Sequence, residues 1–208
     1  MIAKEQRALA HGSIRHRRSL GYELARFAFM IFMRLFGWRV EGAMPSDRKM
    51  VILAAPHRSN WDLMFMLGSA FYYRVPVHWL GKKSLVEGPF GWVMRWWGCL
   101  PVDRSQSTSI VEQVAAAYAA RDEMAVVVAP EGTRANVSEW KTGFYMIARA
   151  AQVPISFGYL NYQRKVGGIG GSIHPTGDYV SDMDEILQYY SDHVPDFRSP
   201  TGIQPIKD

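Results

Sequence analysis

The chain has 208 residues, 48% of them apolar and 21% charged, which is enough apolar material for one packed domain and excludes general disorder. A single cysteine, Cys99, excludes a disulfide framework, a paired-thiol redox motif and any multi-cysteine zinc site. The formal charge of +5 is uneven: residues 1–49 carry ten Lys and Arg against four acids, while the remainder carries fourteen against fifteen. An anionic partner is therefore expected at the N-terminal quarter.

That quarter reads Arg15-His16-Arg17-Arg18, then a run from Leu20 to Trp38 rich in Phe and Met. Only seven uncharged residues separate Arg26 from Arg34, far short of the roughly 18 that a spanning helix needs. The run predicts an amphipathic helix, either lying in a membrane interface with its arginines toward anionic lipid or packed on its own domain. No small-residue cleavage site follows it, so a signal peptide is not expected. No recognition motif accompanies the basic residues, and nucleic acid is not an expected partner.

Downstream, strand-like and helix-like runs alternate. Residues 50–55 (MVILAA) and 124–129 (MAVVVA) are short continuous apolar runs, the mark of strands buried on both faces. Helices are predicted over 59–73, 90–97, from a Ser109-x-x-Glu112 capping box to Arg121, over 142–152 and over 182–190. Further strands are predicted over 75–80, 99–102 and 155–162, and the glycine-rich segment 167–171 reads as a hairpin turn. The fold class is α/β: a single domain with a mainly parallel sheet flanked by helices, preceded by an N-terminal amphipathic helix. If the two apolar strands run parallel, His57 and Glu131, which follow them, share the sheet edge where open α/β sheets bind ligands.

His57 and Asp62 are five residues apart, about 140° around a continuous helix, so they would not meet there. A helix starting at Ser59 leaves His57 in the preceding turn, free to fold back. Asp62 then accepts its Nδ1–H while also serving a Ser59-x-x-Asp62 capping box, and Nε2 faces the crevice as an oriented general base. The bland alternative is a satisfied helix start. Glu131 to Arg134 reads alternatively as a turn with a local ion pair, and Lys82 and Lys83 as a solvated loop. Phe90, Trp92, Met94, Trp96 and Trp97 form an aromatic cluster that is core, the lining of an apolar tunnel, or a lipid contact. The other histidines show no ligand spacing, so no metal site is expected, and no G-x-S-x-G elbow is present.

Four blocks in order carry a resemblance: H-x4-D from His57 to Asp62, Gly98 to Arg104, Glu131-Gly132-Thr133-Arg134, and Val153-Pro154-Ile155. Over roughly residues 45–175 the chain resembles the glycerolipid acyltransferase family, which includes 1-acylglycerol-3-phosphate acyltransferases. Pro101 departs from the aromatic or aliphatic residue common in the second block. The charge and apolar pattern marks a basic amphipathic membrane-associating arm over 1–44, and the resemblance implies an acyltransferase domain over 45–208. It implies acyl transfer from a thioester of coenzyme A or acyl carrier protein to a lysophospholipid hydroxyl, with His57 as base and Asp62 as its orienter. The most fitting acceptor is 1-acylglycerol-3-phosphate, giving phosphatidic acid. Arg104, Glu131, Gly132, Thr133, Arg134, Lys82 and Lys83 would bind substrate, the arginines suiting phosphate. No cofactor beyond the acyl carrier is implied, and the protein would sit peripherally on the cytoplasmic face of the inner membrane. A different monoacylated lipid acceptor, thioester hydrolysis and a non-catalytic lipid-binding module are the alternatives.

Overall fold

The computed structural model describes residues 19–103, 109–133, 137–195 and 197–203. In chain order these form α1 (Leu20–Leu35), β1 (Arg39–Gly42), β2 (Lys49–Ala54), α2 (Trp61–Tyr73), β3 (Val77–Lys82), α3 (Ser84–Glu87), α4 (Gly91–Trp96) and β4 (Cys99–Val102), followed by α5 (Ile110–Ala119), β5 (Met124–Val128), α6 (Gly143–Ala151), β6 (Ile155–Asn161), β7 (Val166–Ile173) and α7 (Tyr179–His193). The seven strands make one sheet in the order β1-β7-β6-β2-β5-β3-β4, parallel throughout except for the β6–β7 pair. The expected α/β class and mainly parallel sheet are what the chain adopts. The capping box opening α5 is also present, with reciprocal bonds between Ser109 and Glu112.

The two faces of the sheet are packed differently, and alternation along the strands decides how. Val51, Leu53 and Ala55, with Met124 and Val126, join the large core built with α5, α6 and α7 around Phe144, Tyr145 and Tyr190. On that side Tyr190 is fully buried and its hydroxyl donates to the carbonyls of Leu53 (2.6 Å) and Gly158 (3.0 Å), clamping the end of β2 to the middle of β6. Met50, Ile52, Ala54, Ala125 and Val127 face the other way, toward α2. That single helix does not cover the second face, and a cavity remains beneath it.

Segment 167–171 is the interior of β7, not a hairpin turn. The glycines serve close approach: a Cβ on Gly167 would sit 2.6 Å from Ser69 Oγ of α2, and one on Gly168 would sit 2.8 Å from the Tyr159 ring. β1, paired along β7, and the one-turn α3 lie outside the sequence-derived set, and α7 starts three residues before the expected Asp182.

α1 is capped by Ser19, whose side chain accepts from Tyr22 N. Its inner face rests on α2 through the stacked Phe29–Phe71 pair, the Phe32–Phe65 contact and the buried Met33. Leu20, Leu24, Phe27, Ile31 and Leu35, spaced by four, three, four and four, leave a second apolar stripe exposed on its outer face. No helix among the described residues is long and apolar enough to cross a membrane.

On β3, burial and the nearby Arg121 guanidinium lower the pKa of His78 from its ordinary 6.5 to about 4, and its Nδ1 is buried with no hydrogen-bond partner among the described residues. The unfolded chain therefore takes up a proton below pH 6.5 that the folded chain refuses until about pH 4. Stability must fall as the pH drops through that window, by at most about 3 kcal/mol. Urea midpoints measured from pH 7 to 4.5 are expected to decline in the native protein and to flatten over that range in His78→Met.

Candidate active site

β2 runs into a turn through Ala55, a cis peptide bond and Pro56, and the chain then passes His57 to Asn60 before α2 begins at Trp61. Asp62, in the first helical turn, points back into that turn. Its Oδ2 accepts from the backbone amides of Arg58 (2.7 Å) and Ser59 (2.9 Å) and lies 2.8 Å from His57 Nδ1. The Ser59 hydroxyl takes Trp61 N–H, so the reciprocal half of the expected Ser59-x-x-Asp62 box is displaced by one residue.

Asp62 is 6% exposed. Burial alone would raise its pKa, but hydrogen bonds from His57, Tyr162, Ser59 and Arg58 outweigh it and hold the carboxyl below its ordinary range. An ionised carboxylate only accepts, so the hydrogen at the His57–Asp62 contact belongs to Nδ1 and the Nε2 lone pair is left for a substrate. The imidazole is 30% exposed.

The loop after β5 meets this turn, as parallel pairing of Leu53 with Val128 requires. Glu131 Oε1 accepts the His57 backbone N–H at 3.2 Å, across 74 positions of sequence. Glu131 is itself buried, which raises its pKa, and its Oε2 has no hydrogen-bond partner among the described residues. This carboxyl thus braces the histidine turn from a second strand. Gly132 follows at φ +62°, where a Cβ would meet the Lys141 side chain at 2.8 Å. Thr133 lies in the same turn. Arg104 and Arg134 lie outside the described residues.

Lys82 ends β3, opposite Val102 of β4, and so stands at the same carboxyl edge as His57. Lys83 is exposed, 3.8 Å from Glu87 and 3.9 Å from Asp103. Neither lysine lines the cavity. The aromatic cluster is not core: Phe90 and Trp92 are each 69% exposed, and it contributes nothing to the cavity wall, where Trp79 stands instead. Cys99 is buried against Gly81, and burial pushes its thiol up to about 11, which keeps it protonated and unreactive as a nucleophile.

The cavity between α2 and the sheet has a volume of about 460 Å³. His57, Asn60 and Asp62 line it at the start of α2, and Tyr73, Val75 and Met44 line it near the helix end. Thirteen helical residues set its reach at about 20 Å. Between those ends the walls are mostly apolar, among them Ile52, Leu63, Met66 and Val127. A polar reactive group opening onto a long apolar slot suits a ligand with a reactive head and a hydrocarbon tail. Among the described residues no group of three or more His, Cys, Asp or Glu is placed to hold a metal.

One residue escaped sequence reasoning. The Tyr162 hydroxyl, just beyond β6, donates to Asp62 Oδ1 from 100 positions away. The only sequence signal was a polar aromatic at the carboxyl end of a predicted strand, which by itself names no partner.

The model of the family described as Acyltransferase matches residues 37–156. A 1-acyl-sn-glycerol-3-phosphate acyltransferase of Salmonella typhimurium is 31% identical over 150 residues, covering 68% of this chain and 58% of its own. The enzyme of that name from Escherichia coli matches to the same extent, and one from Haemophilus influenzae is 32% identical over 130 residues, 58% of this chain and 53% of its own. The chain thus spans a little over half the length of the curated relatives it matches. No solved structure matches it. The matched region contains the histidine turn, the Glu131 turn and the strands that bring them together, and the chain belongs to the glycerolipid acyltransferase family.

Proposed function

We propose that the protein transfers a fatty acyl group from an acyl thioester to the hydroxyl of a lysophospholipid, with 1-acylglycerol-3-phosphate as acceptor and phosphatidic acid as product. The observation that carries this reading is the His57–Asp62 pair at the mouth of an apolar cavity. His57 Nε2 removes the acceptor's hydroxyl proton as the oxygen attacks the thioester carbonyl. A C–O bond forms, the C–S bond breaks, and the proton passes from Nε2 to the departing thiolate. Asp62 fixes the tautomer and stabilises the imidazolium between those steps. The base contributes about 10²–10⁴-fold, and holding both substrates in line with it supplies much of the rest. The acyl chain lies in the cavity under α2. The acceptor phosphate meets Arg104 and Arg134 with the Gly132–Thr133 turn, and Lys82 and Lys83 add positive charge at the same edge.

The second apolar stripe of α1, and the exposed Phe36–Trp61 ring pair where α1 meets α2, support a peripheral seat on the membrane. The cytoplasmic face of the inner membrane is where acyl-CoA or acyl carrier protein reaches such a surface. The test is incubation of purified protein with labelled acyl thioester, with and without a lysolipid extract. Label appearing in phosphatidic acid supports the reading. Label in a different lipid changes the acceptor, free fatty acid in both arms indicates a hydrolase, and vesicle binding without turnover indicates a lipid-binding module.

The cavity's length is open to a direct check. Ala70 lies on its wall at 7% exposure, and Ala70→Leu places added carbons in the slot. The product distribution, read by mass spectrometry, is expected to shift toward shorter acyl chains while turnover of short donors persists.

A further inference from the structure

Asp62 uses its two oxygens differently. Oδ2 is shared by His57 Nδ1 and the amides of Arg58 and Ser59, all within one tight turn. Those donors all pull on one oxygen from one element and none of them reaches Oδ1, so rotation about Cβ–Cγ, a torsion with a broad minimum, is resisted from one side of the carboxylate only. The Tyr162 hydroxyl reaches Oδ1 from a separate element, at the end of β6. A plane held at both oxygens from two elements presents its Oδ2 lone pair to the imidazole in one direction only.

Tyr162 is itself aimed by packing. Its ring stands edge-on to Trp38 (centroids 5.0 Å apart, planes at 89°) and to Phe65 (6.1 Å, 85°). Trp38 stacks on Phe65 at 3.9 Å, and both are buried. The hydroxyl is therefore set by the sheet, by α2 and by the segment joining α1 to β1. Burial and the facing Asp62 carboxylate raise the Tyr162 pKa, so the group remains a donor at any pH at which the enzyme works.

We propose that Tyr162 is a positioning residue for acyl transfer: its hydroxyl locks the Asp62 carboxylate plane and thereby the direction of the His57 imidazole. This rests on the reading of His57 as base and Asp62 as its orienter. Tyr162 touches no reacting atom and acts only through Asp62. Hydrogen-bond partners behind metal-bound imidazoles are typically worth 10–100-fold, and by analogy an effect of that size is expected here.

The test is Tyr162→Phe, which keeps the ring between Trp38 and Phe65 and removes only the hydroxyl. Rates with acyl-CoA and 1-acylglycerol-3-phosphate are expected to show kcat lower by about 10–100-fold, with both KM values unchanged and the melting temperature lowered by no more than the loss of one charge-assisted hydrogen bond. A purely structural tyrosine would leave kcat intact in this variant, and that result overturns the proposal. A second readout needs no turnover. In protein carrying nitrogen-15 histidine, the Nδ1–H proton of His57, assigned by its loss in His57→Ala, is expected to shift in Tyr162→Phe. An unmoved resonance also overturns it. Should His57→Ala retain full transfer, the base assignment has failed, and the resonance then reports on the Tyr162–Asp62–His57 geometry alone.

Discussion

His57→Ala is expected to fold, to keep its cavity, and to lose transfer by at least about 10²–10⁴-fold in kcat. The imidazole is 30% exposed and, among the described residues, makes one side-chain hydrogen bond, to Asp62. Asp62 Oδ2 keeps its two backbone donors after truncation, so the buried carboxylate is not orphaned. The cost in stability is then that of one charge-assisted bond, about 1.5–3 kcal/mol. Steady-state rates alongside a urea titration check both parts. A well-folded variant with undiminished transfer removes the base from the mechanism.

Asp62→Asn separates charge from shape. The amide oxygen still accepts from Arg58 and Ser59 N–H in the Oδ2 position, and the amide nitrogen then faces the Tyr162 oxygen, which can accept in its turn. The turn survives, but the charge that holds Nδ1–H and stabilises the imidazolium is gone. Loss of a buried aspartate behind a catalytic imidazole lowers kcat by about 10⁴-fold in the serine protease triad, and a loss of about 10²–10⁴-fold is expected here. Because Asp62 also sits in the first turn of α2, where a negative charge favours the helix, a stability loss of about 0.3–1 kcal/mol accompanies it. Wild-type kcat in the folded variant would show that orientation of His57 does not require that charge.

Much of the architecture was legible because burial on two faces leaves an unmistakable mark. Residues 50–55 and 124–129 admit no polar side chain, and a strand covered on both sides has no other reading at that length. The pairing of those strands brought His57 and Glu131 to one edge, and their contact in the structure is between a backbone amide and a carboxylate. Chain order predicts that meeting but not which atoms touch. β7 was illegible for the opposite reason. Val166 to Ile173 is half glycine, a composition that signals a turn, and only the neighbours packed against it, among them Ser69, Tyr159, Tyr189 and the Glu41 carbonyl, explain why nothing larger fits. Tyr162 was illegible because its significance lies in a distance of 100 positions, set by the order of strands in the sheet rather than by any local pattern.

The unequal faces of the sheet separate two kinds of change. Odd-numbered positions 51 to 55 of β2 and the segment just after it serve the sealed half, whereas Met50, Ile52 and Ala54 border the hollow one. Substitution at 52 or 54 therefore re-bores the slot without disturbing the clamp of Tyr190 across the reverse side. The hollow half is still packed where Ile52 is buried, so its volume is most cheaply altered at the small residue Ala54.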